Sequence, residues 1–172
     1  PDVTVQIYRS GTEEVMSKIS AEQQAGSVVA DVLMVADDVT FESLKEDELL
    51  LSYESAELES IPDEFVDEEF MYTGTKAMAT ILAINTNEVE QVPNSWNVLL
   101  EEDTKGQAII PSPLYSGAAA YNVGVFSRQD SFGWDFFRKL SDQDVTMVQG
   151  NGGVLQAVAA GEKQYGMVVD FI

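Results

Sequence analysis

Segments with the two-residue period of a strand and segments with helical spacing follow one another along this chain. Val3, Val5 and Ile7 alternate with polar residues, which is typical of a strand. A helical pattern follows at once, from about Ser10 to a stop at Ala25-Gly26. Apolar runs and helical patterns then alternate to the end of the sequence. This order predicts an α/β protein with a mostly parallel sheet and crossover helices.

The first half of the chain carries further local predictions. Ser10 and Glu13 stand in capping-box spacing, so Ser10 is expected to cap the first helix. Val32 to Ala36 has the composition of a short buried strand. Thr40 is expected to cap a second helix. The apolar side of that helix would be formed by Phe41, Leu44 and Leu49. Residues 53–70, rich in Glu, Asp and Ser, indicate a surface connection with one helical turn.

The pattern restarts in the second half of the chain. A strand is predicted from about residue 77 to 84, a helix over 93–100 and a strand over 107–110. Two helices, a strand, a helix and a final strand are expected to follow. The two βα-rich halves predict two lobes, residues 1–84 and 85–172.

The composition excludes several classes of function. The chain has no Cys and no His, which excludes disulfides, thiolate or imidazole metal sites and nucleophiles activated by His. Thirty acidic residues against nine basic ones give a formal charge of -21. Nucleic acid is therefore a poor candidate partner, because phosphate backbones are bound by dense Lys and Arg surfaces. Binding has to rely on carboxylate, hydroxyl, amide, Tyr, Lys and Arg groups.

Three predicted strand-to-helix junctions carry small and polar residues: residues 8–12, 111–117 and 149–153. In open α/β sheets ligands bind outside the carboxyl ends of the strands, where helix N termini present unpaired N–H groups and partial positive charge. Small residues let a ligand approach the backbone closely. An anionic or polyhydroxylated solute is the ligand class that these turns favour.

Each junction also has a structural interpretation. Ser10, Gly11 and Thr12 fit a helix cap better than a ligand site on sequence alone. The run from Ser116 to Ala120 fits close packing of a helix on the sheet, and Gly150 to Gly153 fits a loop that needs positive φ. Arg9 is equally consistent with an anion contact and with a surface ion pair.

Two further groups of residues have a structural interpretation that we favour. Asp37 and Asp38 follow the second predicted strand, where a role in starting a helix is more common than cation binding. Trp134, Phe136 and Phe137 lie in one predicted helix, where a core-facing side is more common than an aromatic ligand box.

At these junctions the chain resembles the family 1 extracellular solute-binding proteins, in the branch of ferric-iron, phosphonate and phosphorylated-sugar binders. The resemblance runs over essentially the whole chain, and its strength lies in the order and spacing of the matching segments. In the first half the matching segments are Tyr8 to Glu14, Ala30 to Leu33 with Ala36-Asp37, Tyr72 to Thr75 and Ile84 to Thr86. In the second half they are Pro93 to Trp96, Pro111 to Gly117, Gln149 to Gly152, Gln156 to Glu162 and Gly166 to Asp170.

The resemblance implies a two-lobed fold of the type II periplasmic binding proteins, with a first crossing between the lobes near residues 83–87. It implies a fragment lacking N- and C-terminal pieces, with lobe one incomplete and lobe two nearly complete. The implied function is that of an extracytoplasmic solute-binding component of an ABC importer, not an enzyme, with a membrane permease as partner and no cofactor or metal. The implied mechanism is closure of the lobes over a solute. The expected ligand-binding residues are Arg9, Ser10, Gly11, Thr12, Ser112, Tyr115, Ser116, Gly117, Asn151 and Gly152.

One departure from the family pattern bears on the ligand. Ferric-iron binders of this kind carry adjacent tyrosines near the position matched here by Asp170-Phe171-Ile172. We therefore expect a phosphorylated sugar or a phosphonate in preference to ferric ion, which stays the alternative. A ligand-sensing domain of a transcription regulator is a second alternative, because such domains share the lobed architecture.

Overall fold

The computed structural model describes residues 2–172, and Pro1 lies outside the described residues. The helices are α1 (Thr12–Gln24), α2 (Asp38–Glu46), α3 (Gly117–Arg128), α4 (Gly133–Asp142) and α5 (Asn151–Ala159). The strands are β1 (Thr80–Ile84), β2 (Ala108–Pro111), β3 (Thr146–Val148) and β4 (Tyr165–Val169). Short 3₁₀ turns occupy Ala56–Ser60, Asp63–Phe65, Trp96–Leu100 and Glu102–Thr104. The predicted α/β class is confirmed. No helix within residues 2–172 is both long and apolar enough to cross a membrane.

The four strands form one sheet in the order β1-β4-β2-β3. β4 and β2 are parallel, as are β2 and β3, which confirms the mostly parallel sheet. β1 is the exception, because it runs antiparallel to β4 with Thr80 opposite Val169. β1 therefore lies in the sheet formed by the second half of the chain. The division into lobes at residues 84 and 85 stays a prediction.

The core lies on both faces of this sheet. Successive strand residues point to opposite faces, so β4 places Met167 on one face and Val168 on the other. The Val168 face is covered by α5 through Val154 and Val158. The Met167 face is covered by α3, α4 and the turn at 96–100, whose Leu99 is fully buried. This two-sided cover is typical of a parallel sheet and holds the carboxyl ends of β2 and β4 in place.

Two predicted strands in the first half are absent from the structure. Neither residues 3–7 nor residues 32–36 form a ladder with any other described residue. Ile7 is 83% exposed and Val32 81% exposed, so the prediction of a buried strand at 32–36 was also wrong. The physical reason is that alternation of apolar residues supplies a face for burial, whereas a strand also needs a hydrogen-bonding neighbour.

The helix starts in the first half also differ from the prediction. Gly11, not Ser10, is the N-cap of α1, and the Ser10 hydroxyl instead donates to the Glu14 carboxylate. Asp37, not Thr40, caps α2, because its carboxylate accepts the Thr40 backbone N–H at 2.8 Å. The Asp37 carboxylate, three residues before Thr40, is the stronger acceptor and therefore takes the capping position.

Helix ends and the second half agree more closely with the sequence patterns. α1 ends at Gln24, and Gly26 takes the left-handed φ of 85°, which confirms the predicted stop. α2 ends at Glu46, so Leu49 lies beyond it. In α4, Phe136 is buried and Phe137 packs against the core, as predicted, but Trp134 is 58% exposed.

Candidate functional site

A cavity of about 580 Å³ lies between segments from the two halves of the chain. Its walls in the first half are formed by residues 10–12, 33–38, 64–67 and 72–76. Its walls in the second half are formed by residues 115–118, 150–151, Val169, Phe171 and Ile172. The volume lies in the range of pockets that hold small molecules.

Four helices begin at this cavity, because each N-cap lines it. The N-caps are Gly11 for α1, Asp37 for α2, Ser116 for α3 and Gly150 for α5. Helix N termini present unpaired backbone N–H groups and a partial positive charge. The cavity therefore offers a ligand backbone N–H donors in addition to its side-chain groups.

The four helix starts differ in how far acidic side chains already neutralise them. The first turn of α1 contains Glu13 and Glu14, and α2 is capped by Asp37 and begins with Asp38. The first turns of α3 and α5 contain no acidic residue. An anion is accordingly favoured on the side of the cavity formed by α3 and α5. It is favoured most at α5, because the Asp37 carboxylate lies close to the first residue of α3.

Tyr115 brings two of the predicted turns together. Its ring carbons Cδ2 and Cε2 lie so close to Gly11 that a β-carbon there would be 2.9 Å from each of them. Its opposite edge faces Gly150, where a β-carbon would be 3.5 Å from Cε1. The ring therefore stands between the starts of α1 and α5, and Gly11 is required for its approach.

Gly117 is a point of close contact between the second half of the chain and the first. A β-carbon on Gly117 would lie 2.5 Å from Thr12 Oγ1 and 3.0 Å from Asp37 Oδ2. Those two oxygens belong to the starts of α1 and α2, so Gly117 packs against the first half of the chain.

Ser116 and Asn151 form a hydrogen-bonded pair at the floor of the cavity. The Ser116 hydroxyl accepts the Ala119 N–H and the Asn151 side-chain amide, each at 3.3 Å. Asn151 Oδ1 in turn accepts the Val169 N–H at 3.3 Å. Both lone pairs of the Ser116 hydroxyl are occupied, so it offers a ligand its O–H as a donor.

Two acidic groups at the cavity are held in structural pairs. The Asp67 carboxylate accepts from Lys45 Nζ at 2.7 Å and from the Met71 N–H at 3.1 Å. Burial by itself raises the pKa of Asp67, but these hydrogen bonds outweigh it and the pKa is lowered. Tyr72 donates its phenol to Glu42, which together with burial raises the pKa of Tyr72 to about 12. Within residues 2–172 no three acidic side chains are grouped as metal ligands.

Comparison with known proteins identifies the family. The family model for bacterial extracellular solute-binding proteins matches residues 27–172 of the chain. The chain belongs to this family. The predicted family membership is therefore confirmed. No curated protein matches the chain at a significant level.

Solved structures of periplasmic binding proteins share the fold of this solute-binding chain. Iron-bound HitA from Pseudomonas aeruginosa superposes with a TM-score of 0.83, 23% identity, and coverage of 98% of this chain and 55% of its own. The ferric binding protein from Campylobacter jejuni has a TM-score of 0.75, 18% identity, and coverage of 98% and 54%. AfuA from Actinobacillus pleuropneumoniae, with fructose-6-phosphate bound, has a TM-score of 0.73, 22% identity, and coverage of 95% and 54%. The chain thus spans about half the length of these structures, and at such identities the likeness shows the fold alone.

Most of the expected ligand-binding residues of the solute-binding chain line the cavity. The residues that do so are Ser10, Gly11, Thr12, Tyr115, Ser116, Gly117 and Asn151. Arg9, Ser112 and Gly152 do not. Arg9 is exposed, and Gly152 is exposed in the first turn of α5.

The structure shows what Ser112 does in its turn and which backbone conformation residues 150–153 adopt. The Ser112 hydroxyl accepts the Leu114 N–H at 3.3 Å, so Ser112 shapes the turn that carries Tyr115. The glycines that adopt positive φ are Gly26, Gly106, Gly133 and Gly161. The interpretation of residues 150–153 as a loop that needs positive φ was therefore wrong, because Gly150 is extended and the following residues are helical.

Sequence reasoning missed part of the cavity wall. Lys76 lines the cavity but lies in a segment without a periodic pattern. Phe171 and Ile172 also line it, and the resemblance had matched them to the iron-ligand position of the family without assigning them to this chain's site. The resemblance did single out Tyr72 to Thr75, which also line it, without assigning them to the site. That segment, directly before Lys76, was the signal available in the sequence.

Proposed function

We propose that the full-length protein is the extracytoplasmic solute-binding component of an ABC importer and captures a small anionic solute, a phosphorylated sugar or a phosphonate. The observation that carries the anionic class is the pair of helix starts, α3 and α5, that meet at the cavity without acidic residues in their first turns. The transport role is supported by the family to which the chain belongs. The full-length protein would act outside the cytoplasm and deliver its solute to a membrane permease.

Binding in this proposal uses hydrogen-bond donors and no proton transfer. The anionic oxygens accept from the Ser116 hydroxyl and from backbone N–H groups at Gly117 and Asn151. Gly150 supplies a cap without a side chain, so no carboxylate or hydroxyl of its own competes for the N–H groups of α5. Such backbone donors bind an anion without the dense cationic surface that this acidic chain lacks.

Capture proceeds by closure of the two halves over the solute. The cavity is lined from both halves, and Gly117 approaches Thr12 and Asp37 across it. A solute that contacts both walls binds the closed arrangement more tightly than the open one, and it shifts the population toward closure. The permease would then recognise the closed form.

Ferric ion is the second candidate, and the fold shared with iron-bound HitA and the Campylobacter jejuni ferric binding protein favours it. The resemblance implies adjacent phenols as iron ligands, and the matched positions carry Phe171 and Ile172, which line the cavity. Apolar side chains at those positions supply no oxygen to a hard trivalent cation. Organic anions therefore rank above iron in this proposal.

The test is thermal unfolding of the full-length protein with fructose 6-phosphate, methylphosphonate, inorganic phosphate and ferric citrate as probes. A bound anion at 100 times its Kd stabilises the fold by about 2.7 kcal/mol. Ser116→Ala removes a helix cap and should weaken anion binding roughly tenfold. Ser95→Ala is the matched control, because Ser95 also caps a turn but lies outside this cavity. A response to ferric citrate alone would reverse the ranking of ligands, and a response to none of the probes would contradict the proposal.

A further inference from the structure

Lys76 is the one cationic side chain among the described residues that line the cavity. Its ammonium group lies over the ring of Phe171, 3.4 Å from the ring centroid. An aromatic face attracts a cation through its quadrupole but carries no net charge. The positive charge of Lys76 is therefore held in place without being neutralised.

Lys76 has no carboxylate partner among the described residues. Thirty carboxylates accompany nine cations, and within residues 2–172 the ion pairs use Lys18, Lys45, Lys105 and Arg138. The cavity wall also contains four carboxylates. Asp37 and Asp67 are engaged by Thr40 and Lys45, whereas Asp38 and Glu64 form no ion pair with the described residues. A cation at the cavity that has no carboxylate partner is available to a ligand's negative charge.

The position of Phe171 places this cation beside the start of α5. Phe171 follows Val169 by two residues, so their Cα atoms are no more than about 7 Å apart. The Val169 N–H in turn donates to the Asn151 side chain at 3.3 Å. Lys76 lies four residues before β1, and the pairing of β1 with β4 continues to the Asp170 N–H, which donates to the Ala79 carbonyl at 3.0 Å. This pairing brings Lys76 to Phe171.

We propose that Lys76 is a specificity-determining residue that leaves the Phe171 ring to pair with the anionic group of the solute. The inference rests on the proposed function and assigns the charge contact that the backbone donors of α3 and α5 lack. Phe171 keeps the lysine at the cleft while the cavity is empty. The pair then favours anionic solutes over neutral ones of the same shape, because only an anionic solute compensates for the lost cation–π contact.

The test compares Lys76→Met with Lys105→Met in the full-length protein. Both changes remove one positive charge and keep an unbranched side chain, but Lys105 pairs with Asp144 outside the cavity. Calorimetric titration with fructose 6-phosphate and methylphosphonate should show affinity roughly 10- to 100-fold weaker in Lys76→Met and nearly unchanged in Lys105→Met. Unfolding midpoints of both variants check that each is folded.

The outcomes separate this inference from the proposed function. If the wild-type protein binds an anion and both variants bind it with the wild-type affinity, the role of Lys76 is overturned and the proposed function still stands. Equal weakening in both variants would assign the effect to net charge and would also overturn it. Failure of the wild-type protein to bind any of the anions would overturn the proposed function and this inference with it.

Discussion

Replacement of Gly117 by alanine tests whether the close contact between the two halves of the chain controls solute binding. The new β-carbon would lie 2.5 Å from Thr12 Oγ1 and 3.0 Å from Asp37 Oδ2. Neither oxygen is the end of a long flexible side chain, so the starts of α1 and α2 have to move away. Gly124, in the same helix, has nothing within 4 Å of its β-carbon position and provides the matched control.

The expected magnitude follows from the cost of overpacking. Forcing an extra methyl group into a close-packed site costs about 1–3 kcal/mol. If that cost falls on the closed arrangement, anion affinity of Gly117→Ala decreases roughly 5- to 150-fold. Gly124→Ala gains helix propensity of up to about 1 kcal/mol and keeps its affinity.

The assay is calorimetric titration of the full-length variants with fructose 6-phosphate, with small-angle scattering to follow closure. Gly117→Ala should stay extended at ligand concentrations that compact the wild-type protein and Gly124→Ala. Equal affinity and equal compaction in the two variants would refute the reasoning, because the contact at Gly117 would then not belong to the ligand-bound arrangement.

Three further predictions concern stability. A β-carbon at Gly166 would lie 2.7 Å from Val154 Cγ1 in the core, so Gly166→Ala should lower the free energy of unfolding in urea by about 1–3 kcal/mol; an unchanged midpoint would contradict this packing. The pKa of Tyr72 is raised from 10.0 to about 12 by its bond to Glu42, so the stability that this phenol contributes is present below pH 10 and is lost as the pH rises through about 12. The free energy of unfolding of Tyr72→Phe should not show this alkaline decrease, and an equal dependence on pH in the two proteins would contradict the prediction. The lowered pKa of Asp67 contributes stability above the ordinary value of 3.8 that is lost as the pH falls through the folded value; an Asp67→Asn variant should show a shallower acid transition, and an identical one would argue against the pairing.

The second half of the fold could be predicted from the sequence because its patterns agree with its packing. Apolar residues in β4 and α5 bury each other, so the strand and helix periods coincide with the observed elements. In the first half the period of residues 3–7 and 32–36 predicted strands, but strand formation depends on a neighbouring chain that the period does not specify. The N-cap of α2 was also not predicted, because the Asp37 carboxylate takes the capping position expected for Thr40.

The cavity was partly predictable for a similar reason. Helix starts that follow strands have sequence signals, and the turns with Gly11, Ser116 and Gly150 meet at one cavity. Lys76 and Phe171 lie in segments without such signals, and their contact joins residues 95 positions apart in the chain only through the fold. Sequence patterns therefore located the backbone donors but not the side-chain charge.

Anion binding at the starts of α3 and α5 is tested most directly by the amide NMR spectrum of the isotope-labelled full-length protein during titration with fructose 6-phosphate and methylphosphonate. We predict saturable shifts of the N–H resonances of Gly117, Ala118, Asn151 and Gly152, because these groups begin the two helices that would hold the anion. Saturable binding that leaves those four resonances unmoved while others shift would contradict it.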